Sequence, residues 1–199
     1  MHRPHILFPF TINEDTWLEP LNPEQAPVLF ELTDRNRSYL RKWLPWLDNY
    51  RTVADSVHFI EQANSSWEQN QGLTLGLWYQ ASLVGVISFH KFDWPNQTSS
   101  IGYWLAESYQ GKGIMTSACK ALVGLGFGKL GLQSITIRCA VGNLSSQKVA
   151  QRLGFSFTAT KKDAEWLYDH YVDQQVYTMY AHDWLEQYPN NILEHTKRG

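Results

Sequence analysis

The segment Tyr109-Gln110-Gly111-Lys112-Gly113-Ile114-Met115-Thr116 constrains this chain more than any other. It follows a strand-like run at 99–105 (SSIGYWL) and opens a helical stretch. The first turn of a helix leaves backbone N–H groups without intrahelical partners and carries the positive end of the helix dipole. Glycines there let a phosphate approach the backbone closely. The pattern reads either as a plain strand-to-helix turn or as an anion site suited to a pyrophosphate. A second glycine run, Gly126-Phe127-Gly128-Lys129-Leu130-Gly131, spells GxGxxG. The dinucleotide fingerprint needs that spacing after a strand and before a helix, and here the order is reversed. We read it as a helix end and connector. GxxxxGK[ST] is absent, so the phosphate loop of NTPases is excluded.

The flanking patterns predict an α+β chain. Residues 6–12 and 16–21 are short strand-like pieces, and a helix runs from Pro23 to about Arg37 with Ala26, Leu29, Phe30 and Leu32 on one face. Pro45 breaks the next stretch between Trp43 and Trp46. A second helix fits 53–70. Residues 73–79 and 83–90 read as strands joined by a turn at Gln80–Ser82. After the glycine-led helix come a strand at 134–141, a short helix at 144–153 ending on Gly154, and closing strands at 155–160 and 172–181. This order predicts one mixed, mostly antiparallel sheet with helices on both faces.

With 199 residues the chain suits one domain, 1–199, with a core over about 6–183 and a tail at 184–199. A net charge of −2 gives no general attraction to nucleic acid or anionic membranes. The two cysteines, Cys119 and Cys139, form no CxxC pair and require no disulfide framework. No apolar run reaches a membrane span, and the start lacks the features of a signal peptide. The expected setting is a reduced cytoplasm. The seven histidines make no HxxxH or HxH, so no metal is expected. The nine Trp and ten Tyr supply either a generous core or an aromatic-lined groove.

Four segments, in order, resemble the GNAT superfamily and within it the RimL/RimJ branch of ribosomal-protein N-terminal acetyltransferases. Gln110-x-x-Gly113-x-Met115 is similar to the family's pyrophosphate motif, with Met115 where Gly or Ala is usual. Asn143 to Ala150 followed by Leu153-Gly154-Phe155 resembles its Asn-x-x-Ser helix ending in LGF. Asn36-Arg37 with Leu40 to Trp46, and Glu165 to Asp173, resemble the branch's tryptophan loop and closing hairpin. The resemblance implies the GNAT fold, in which strands 99–105 and 134–141 are parallel and splay to admit the pantetheine arm. It implies acetyl-CoA as co-substrate, held by Gln110, Gly111, Lys112, Gly113, Ile114, Met115, Thr116, Asn143 and Ser146. It also implies a bulge at Trp104, Leu105 and Ala106 that aims a backbone N–H at the thioester carbonyl.

The implied reaction is direct attack of a neutral amine on a thioester, which needs a base, an oxyanion donor and an accommodated thiolate. The resemblance implies Glu165 as the base, Ser146 as the hydroxyl near the thiolate, and Cys139, Trp43 and Trp46 lining the acceptor groove. Each has a plainer reading. Glu165, beside Lys161, Lys162 and Asp163, is otherwise a solvated hairpin charge. Ser146 and Asn143 are otherwise helix caps. Cys139 alternates with Ile135 and Ile137 and reads as core rather than nucleophile. The tryptophans otherwise pack the second helix. The acceptor is a protein N-terminus or a small amine such as an antibiotic or polyamine. A CoA-binding protein without turnover is the reading from another class. A homodimer is one assembly the sequence allows.

Overall fold

The computed structural model describes residues 6–189. Its strands are β1 (Phe10–Asn13), β2 (Thr16–Glu19), β3 (Leu73–Tyr79), β4 (Ser82–Phe89), β5 (Thr98–Leu105), β6 (Ser134–Ala140), β7 (Ser156–Leu167) and β8 (His170–Tyr180). Its helices are α1 (Ala26–Arg35), α2 (Arg37–Leu40), α3 (Val53–Glu68), α4 (Ile114–Gly128), α5 (Leu144–Arg152) and α6 (Ala181–Gln187). The strands form one eight-stranded sheet, ordered β1-β2-β3-β4-β5-β6-β8-β7, in which only the β5/β6 pair is parallel.

Alternating side chains divide between the two faces of the sheet. On one, Val86 and Leu83 pack with Leu21, with Ala26 and Leu29 of α1 and with Ile60 of α3. On the other, Leu75, Ile87, Ile101, Ile135 and Ile137 pack against Ala118, Cys119, Leu122 and Val123 of α4. Helices therefore cover both faces, as the sequence predicts. Helix α3 starts on a capping box. Thr52 Oγ1 accepts from the Asp55 N–H at 3.3 Å while Asp55 Oδ2 accepts from the Thr52 N–H at 2.8 Å. The Gln80-Ala81 turn has positive φ at both residues, 48° and 60°, the conformation of a tight hairpin turn.

The sequence-based boundaries fail at both ends of the chain. Of the strand expected at 6–12 only β1 from Phe10 forms, and the second piece ends at Glu19. The helix expected from Pro23 to Arg37 is a 3-10 turn at Pro23–Gln25, then α1, broken at Asn36 before α2. The closing strands are longer than expected. β7 runs through the charged stretch 161–165, because an edge strand open to solvent accepts charge along its length. The expected tail begins inside α6, whose Trp184 is in the core, and residues 190–199 of that tail lie outside the described residues.

Two features of the sheet prepare the site. The β5/β6 ladder stops after Ile101↔Ile137, so Gly102–Leu105 and Arg138–Ala140 diverge. Beyond the split, Gly85 lets β4 lie close under β5, since a Cβ there would stand 2.3 Å from the Trp104 carbonyl oxygen. Gly85→Ala must push two central strands apart, and we expect a loss of about 1–3 kcal/mol, several degrees of thermal midpoint. An unchanged midpoint would contradict that packing.

Candidate functional site

The bulge expected at Trp104–Ala106 is absent. The β4/β5 register runs unbroken from Phe89↔Ile101 to Gly85↔Leu105, and the Ala106 N–H continues it to Val84 O at 2.8 Å. The irregularity lies instead between β3 and β4, at Leu77/Trp78. Open backbone groups arise without a bulge. The His90 N–H bonds Ser100 O at 2.9 Å, so in an antiparallel ladder the even-numbered residues of β5 bond β4. Tyr103 and Leu105 therefore direct their N–H and C=O toward β6, past the point where the β5/β6 ladder ends.

A cleft of about 1090 Å³ runs through this split and reaches both faces of the sheet. On the α4 face it is bounded by the glycine loop and α5. Gly111 and Gly113 have φ of 74° and 76°, and Gly113 is the N-cap of α4 with no side chain capping it. The first N–H groups of a 15-residue helix thus open onto the cleft, the geometry of an anion site. A Cβ at either glycine would meet nothing within 4 Å. Gln110, Ile114, Met115 and Thr116 line the same wall. Met115 is buried in the core below it, which explains how a large residue is held at that motif position. Lys112 is exposed outside the lining, its Nζ 5.0 Å from the Tyr109 ring centroid, and Ala106 is buried.

Asn143 caps α5, its Oδ1 accepting from the Ser146 N–H at 3.1 Å. Ser146 is therefore not the cap, and its hydroxyl is otherwise engaged. Ser146 Oγ donates to the Tyr103 hydroxyl at 3.2 Å, and that hydroxyl donates to Ser146 O at 3.2 Å. Burial holds the Tyr103 pKa far above its ordinary value, so the phenol stays neutral. Cys139 lines the cleft at 6% exposure, and burial pushes its pKa up to about 11. A thiol so protonated is a poor nucleophile at neutral pH.

Glu165 reaches the cleft because β7 is bulged. Lys161 pairs with Gln174 and Glu165 with Val172, leaving residues 162–164 opposite Asp173 alone. Asp163 takes a φ of 46°, its N–H bonded to Asp173 Oδ1 at 3.0 Å, while Lys162 Nζ contacts Asp173 Oδ2 at 2.6 Å. The bulge turns the half-buried Glu165 inward to Gln174, whose Nε2 donates to Glu165 Oε2 at 3.2 Å. Burial raises the Glu165 pKa above the usual carboxylate value, partly offset by that hydrogen bond. Register across β6, β8 and β7 puts Glu165 and Gln174 on the α3 face, with Ala140 and Arg138.

Trp43 and Trp46 both line the cleft mouth. Trp43 lies by Gly142, 3.8 Å from where its Cβ would be, and Trp46 packs edge-on to Tyr50 at 5.2 Å. Their loop is braced from within and from the hairpin. Arg37 donates to Leu47 O and Tyr50 O at 2.7 Å each, the Tyr168 hydroxyl donates to Leu44 O, and Arg41 stacks 3.8 Å over the Tyr168 ring. Sequence reasoning missed Tyr103, Gln174, His90 and Arg138, all of which line the cleft. Tyr103 was within reach, since it follows Ile101 by two on a strand whose alternation was visible. The Asp169–His170 pair at 2.6 Å is exposed at the hairpin tip, off the cleft. Among the described residues no group of three or more His, Cys, Asp or Glu could hold a metal, and no helix is long and apolar enough to cross a membrane.

Comparison with known proteins agrees with this geometry. The Acetyltransferase (GNAT) domain family matches residues 15–156. The ribosomal-protein-serine acetyltransferase of Escherichia coli (strain K12) is 30% identical over 166 residues, covering 83% of this chain and 93% of that protein. The solved structure of RimL, a ribosomal L7/L12 α-N-protein acetyltransferase in complex with coenzyme A, has a TM-score of 0.84 at 26% identity, over 88% of this chain and 98% of that one. The microcin C7 self-immunity acetyltransferase MccE, solved with acetyl-CoA and AMP, has a TM-score of 0.81 at 32% identity, over 85% of this chain and 94% of that one. The chain belongs to the GNAT acetyltransferases, in the RimL-type branch, and is an N-acetyltransferase.

Proposed function

We propose that the chain transfers the acetyl group of acetyl-CoA directly to the α-amino group of a protein N-terminus, with a ribosomal protein as the leading candidate, in the cytoplasm. One observation carries this reading. A single cleft joins an uncapped helix N-terminus and unpaired strand amides on one face of the sheet to a half-buried carboxylate on the other. The 110–116 loop offers its amides to the pyrophosphate, and Tyr103 and Leu105 offer theirs to the peptide-like arm. Asn143 helps to frame the cofactor side through its hold on α5.

The chemistry follows from charge. The amine nitrogen bonds the thioester carbon, the C–S bond breaks, and the amine proton passes to Glu165 directly or through water. The open Leu105 N–H supplies an oxyanion donor. The Ser146 hydroxyl, turning from Tyr103, hydrogen-bonds the leaving thiolate, which takes its proton from water in the cleft, and Glu165 returns the amine proton to solvent. An α-amine, with an ordinary pKa of about 7.7–8.0, needs less help from the base than a lysine does.

The assay is thiol release from acetyl-CoA with N-terminal peptides and small amines in parallel. Peptides leading in Ser or Ala are the expected substrates. Preference for a polyamine or free lysine over every peptide would refute the acceptor reading in favour of a small amine. We expect Ser146→Ala to lower kcat by about tenfold with CoA affinity nearly unchanged, the pattern of an interaction made in the transition state. Cys139→Ala retains most activity. Trapping an acetylated Cys139 with acetyl-CoA alone would overturn direct transfer.

A further inference from the structure

The cleft carries the opposite charge balance to the chain. Overall the net charge is −2, yet the lining holds Lys91, Arg138, Lys148 and Arg152 against one carboxylate, Glu165. Lys148 and Arg152 are on α5, beside the glycine loop, where a cofactor's phosphates account for them. Arg138 is on the other face. It is two residues beyond Thr136, the register partner of Ser100, and so shares the α3 face with Glu165.

The exposed guanidinium of Arg138 has no hydrogen-bond or ion-pair partner among the described residues. Glu165 forms no ion pair with it, its carboxylate accepting instead from Gln174 Nε2 at 3.2 Å. Around Arg138 the floor is small and polar. Ser88 pairs with Gly102 across β4 and β5, and His90 lies over Gly102 with its Nδ1 2.9 Å from Ser100 Oγ. The protein environment and the Arg138 charge both keep the His90 pKa below its ordinary value, so the imidazole is neutral and does not add a second fixed charge. An unpaired guanidinium on the same face as these hydroxyls and this imidazole is equipped to take a carboxylate by charge-assisted hydrogen bonds.

We propose that Arg138, with the Ser88, Ser100 and His90 side chains that line the same face of the cleft, forms an acceptor subsite for an acidic residue within the first few positions of the N-terminal peptide. This rests on the peptide-acceptor reading above. The amine reaches the split near Glu165, and the following residues run along the α3 face toward Arg138. Lys91, which also lines the cleft, extends the same selectivity to acidic sequences.

The test uses CoA-loaded protein and Ser-leading peptides with a single Glu at position 2, 3 or 4, each matched to its Gln counterpart. We expect one Glu position to bind roughly tenfold tighter than its Gln match, the effect of one charge-assisted contact. In Arg138→Gln that ratio should fall to within about twofold, through KM and not kcat, with CoA affinity and thermal midpoint unchanged. A ratio that survives in Arg138→Gln, or none in the wild type while both peptides are acetylated, overturns the subsite and leaves the peptide reading standing. A loss of CoA affinity in Arg138→Gln reassigns the residue to the cofactor and also overturns it. If neither peptide binds and only small amines react, both readings fall together.

Discussion

Replacing Gly113 by glutamate is expected to abolish CoA binding, by about a hundredfold or more, in a protein that still folds. Three facts combine. Gly113 sits at φ 76°, where any side chain costs about 1–2 kcal/mol. The space its Cβ would enter is open, so the strain is the whole folding penalty. The new carboxylate would also lie against the uncapped N–H groups of Ile114, Met115 and Thr116, and supply from the protein the anion that the proposed cofactor would bring. Gly113→Ala separates strain from blockade, sharing the first and losing most of the second. Lys112→Ala should cost only a few-fold, because its exposed ammonium supplements backbone donors. Calorimetric titration with CoA, beside a thermal melt, measures all three. Full CoA affinity in Gly113→Glu would remove the loop from the cofactor site.

Glu165→Gln should lower kcat by about a hundredfold at neutral pH, within the range of a lost general base. The amide keeps the shape and a hydrogen bond toward Gln174 but can take no proton. The pH dependence has a definite sign. In the wild type the carboxylate must be ionised to act, and burial lifts its pKa, so activity is lost as pH falls through that raised value. The acceptor amine adds a second rise near its own pKa of about 7.7–8.0. The variant should show only the second rise and so recover part of its deficit at high pH. A pH–rate profile of kcat/KM with a peptide acceptor tests this. Wild-type activity in Glu165→Gln across the whole range would exclude Glu165 as the base while leaving the cofactor side untouched.

What could be read from the sequence followed local chemistry. Strand β3 and helix α5 come within a residue of expectation because alternation and a glycine stop are local signals. The β5/β6 split was expected from the family's pattern, and the pairing ends where the strands diverge. The bulge was misplaced, because which strand carries an extra residue depends on partners distant in sequence. Glu165 shows the same limit. Its neighbours Lys161, Lys162 and Asp163 read as a solvated turn, and only the pairing with Asp173 reveals a three-residue bulge that rotates the next side chain inward. Ser146 and Asn143 both read as caps because their residue types allow it, and the geometry gives that role to Asn143. Arg138 carried no local signal, since its meaning lies in what fails to pair with it.

Strand β5 is a central strand as far as Ile101 and an edge beyond it. Exposed edges invite foreign strands, and proteins usually cover or shorten them. Here the edge is kept but enclosed, with the tryptophan loop, α5 and the hairpin as walls. Enclosure turns a hazard into a filter. Whatever enters must be thin enough to pass the walls and must present amides in line, as a strand does. An acyl donor carried on an ester or ether chain could fill the gap by shape, yet it would leave the Tyr103 and Leu105 N–H groups desolvated and unpaired, at a cost of about 1–3 kcal/mol for each. On the binding mode proposed above, the selectivity for a peptide-like arm is thus written into the main chain, where no side-chain substitution can easily remove it.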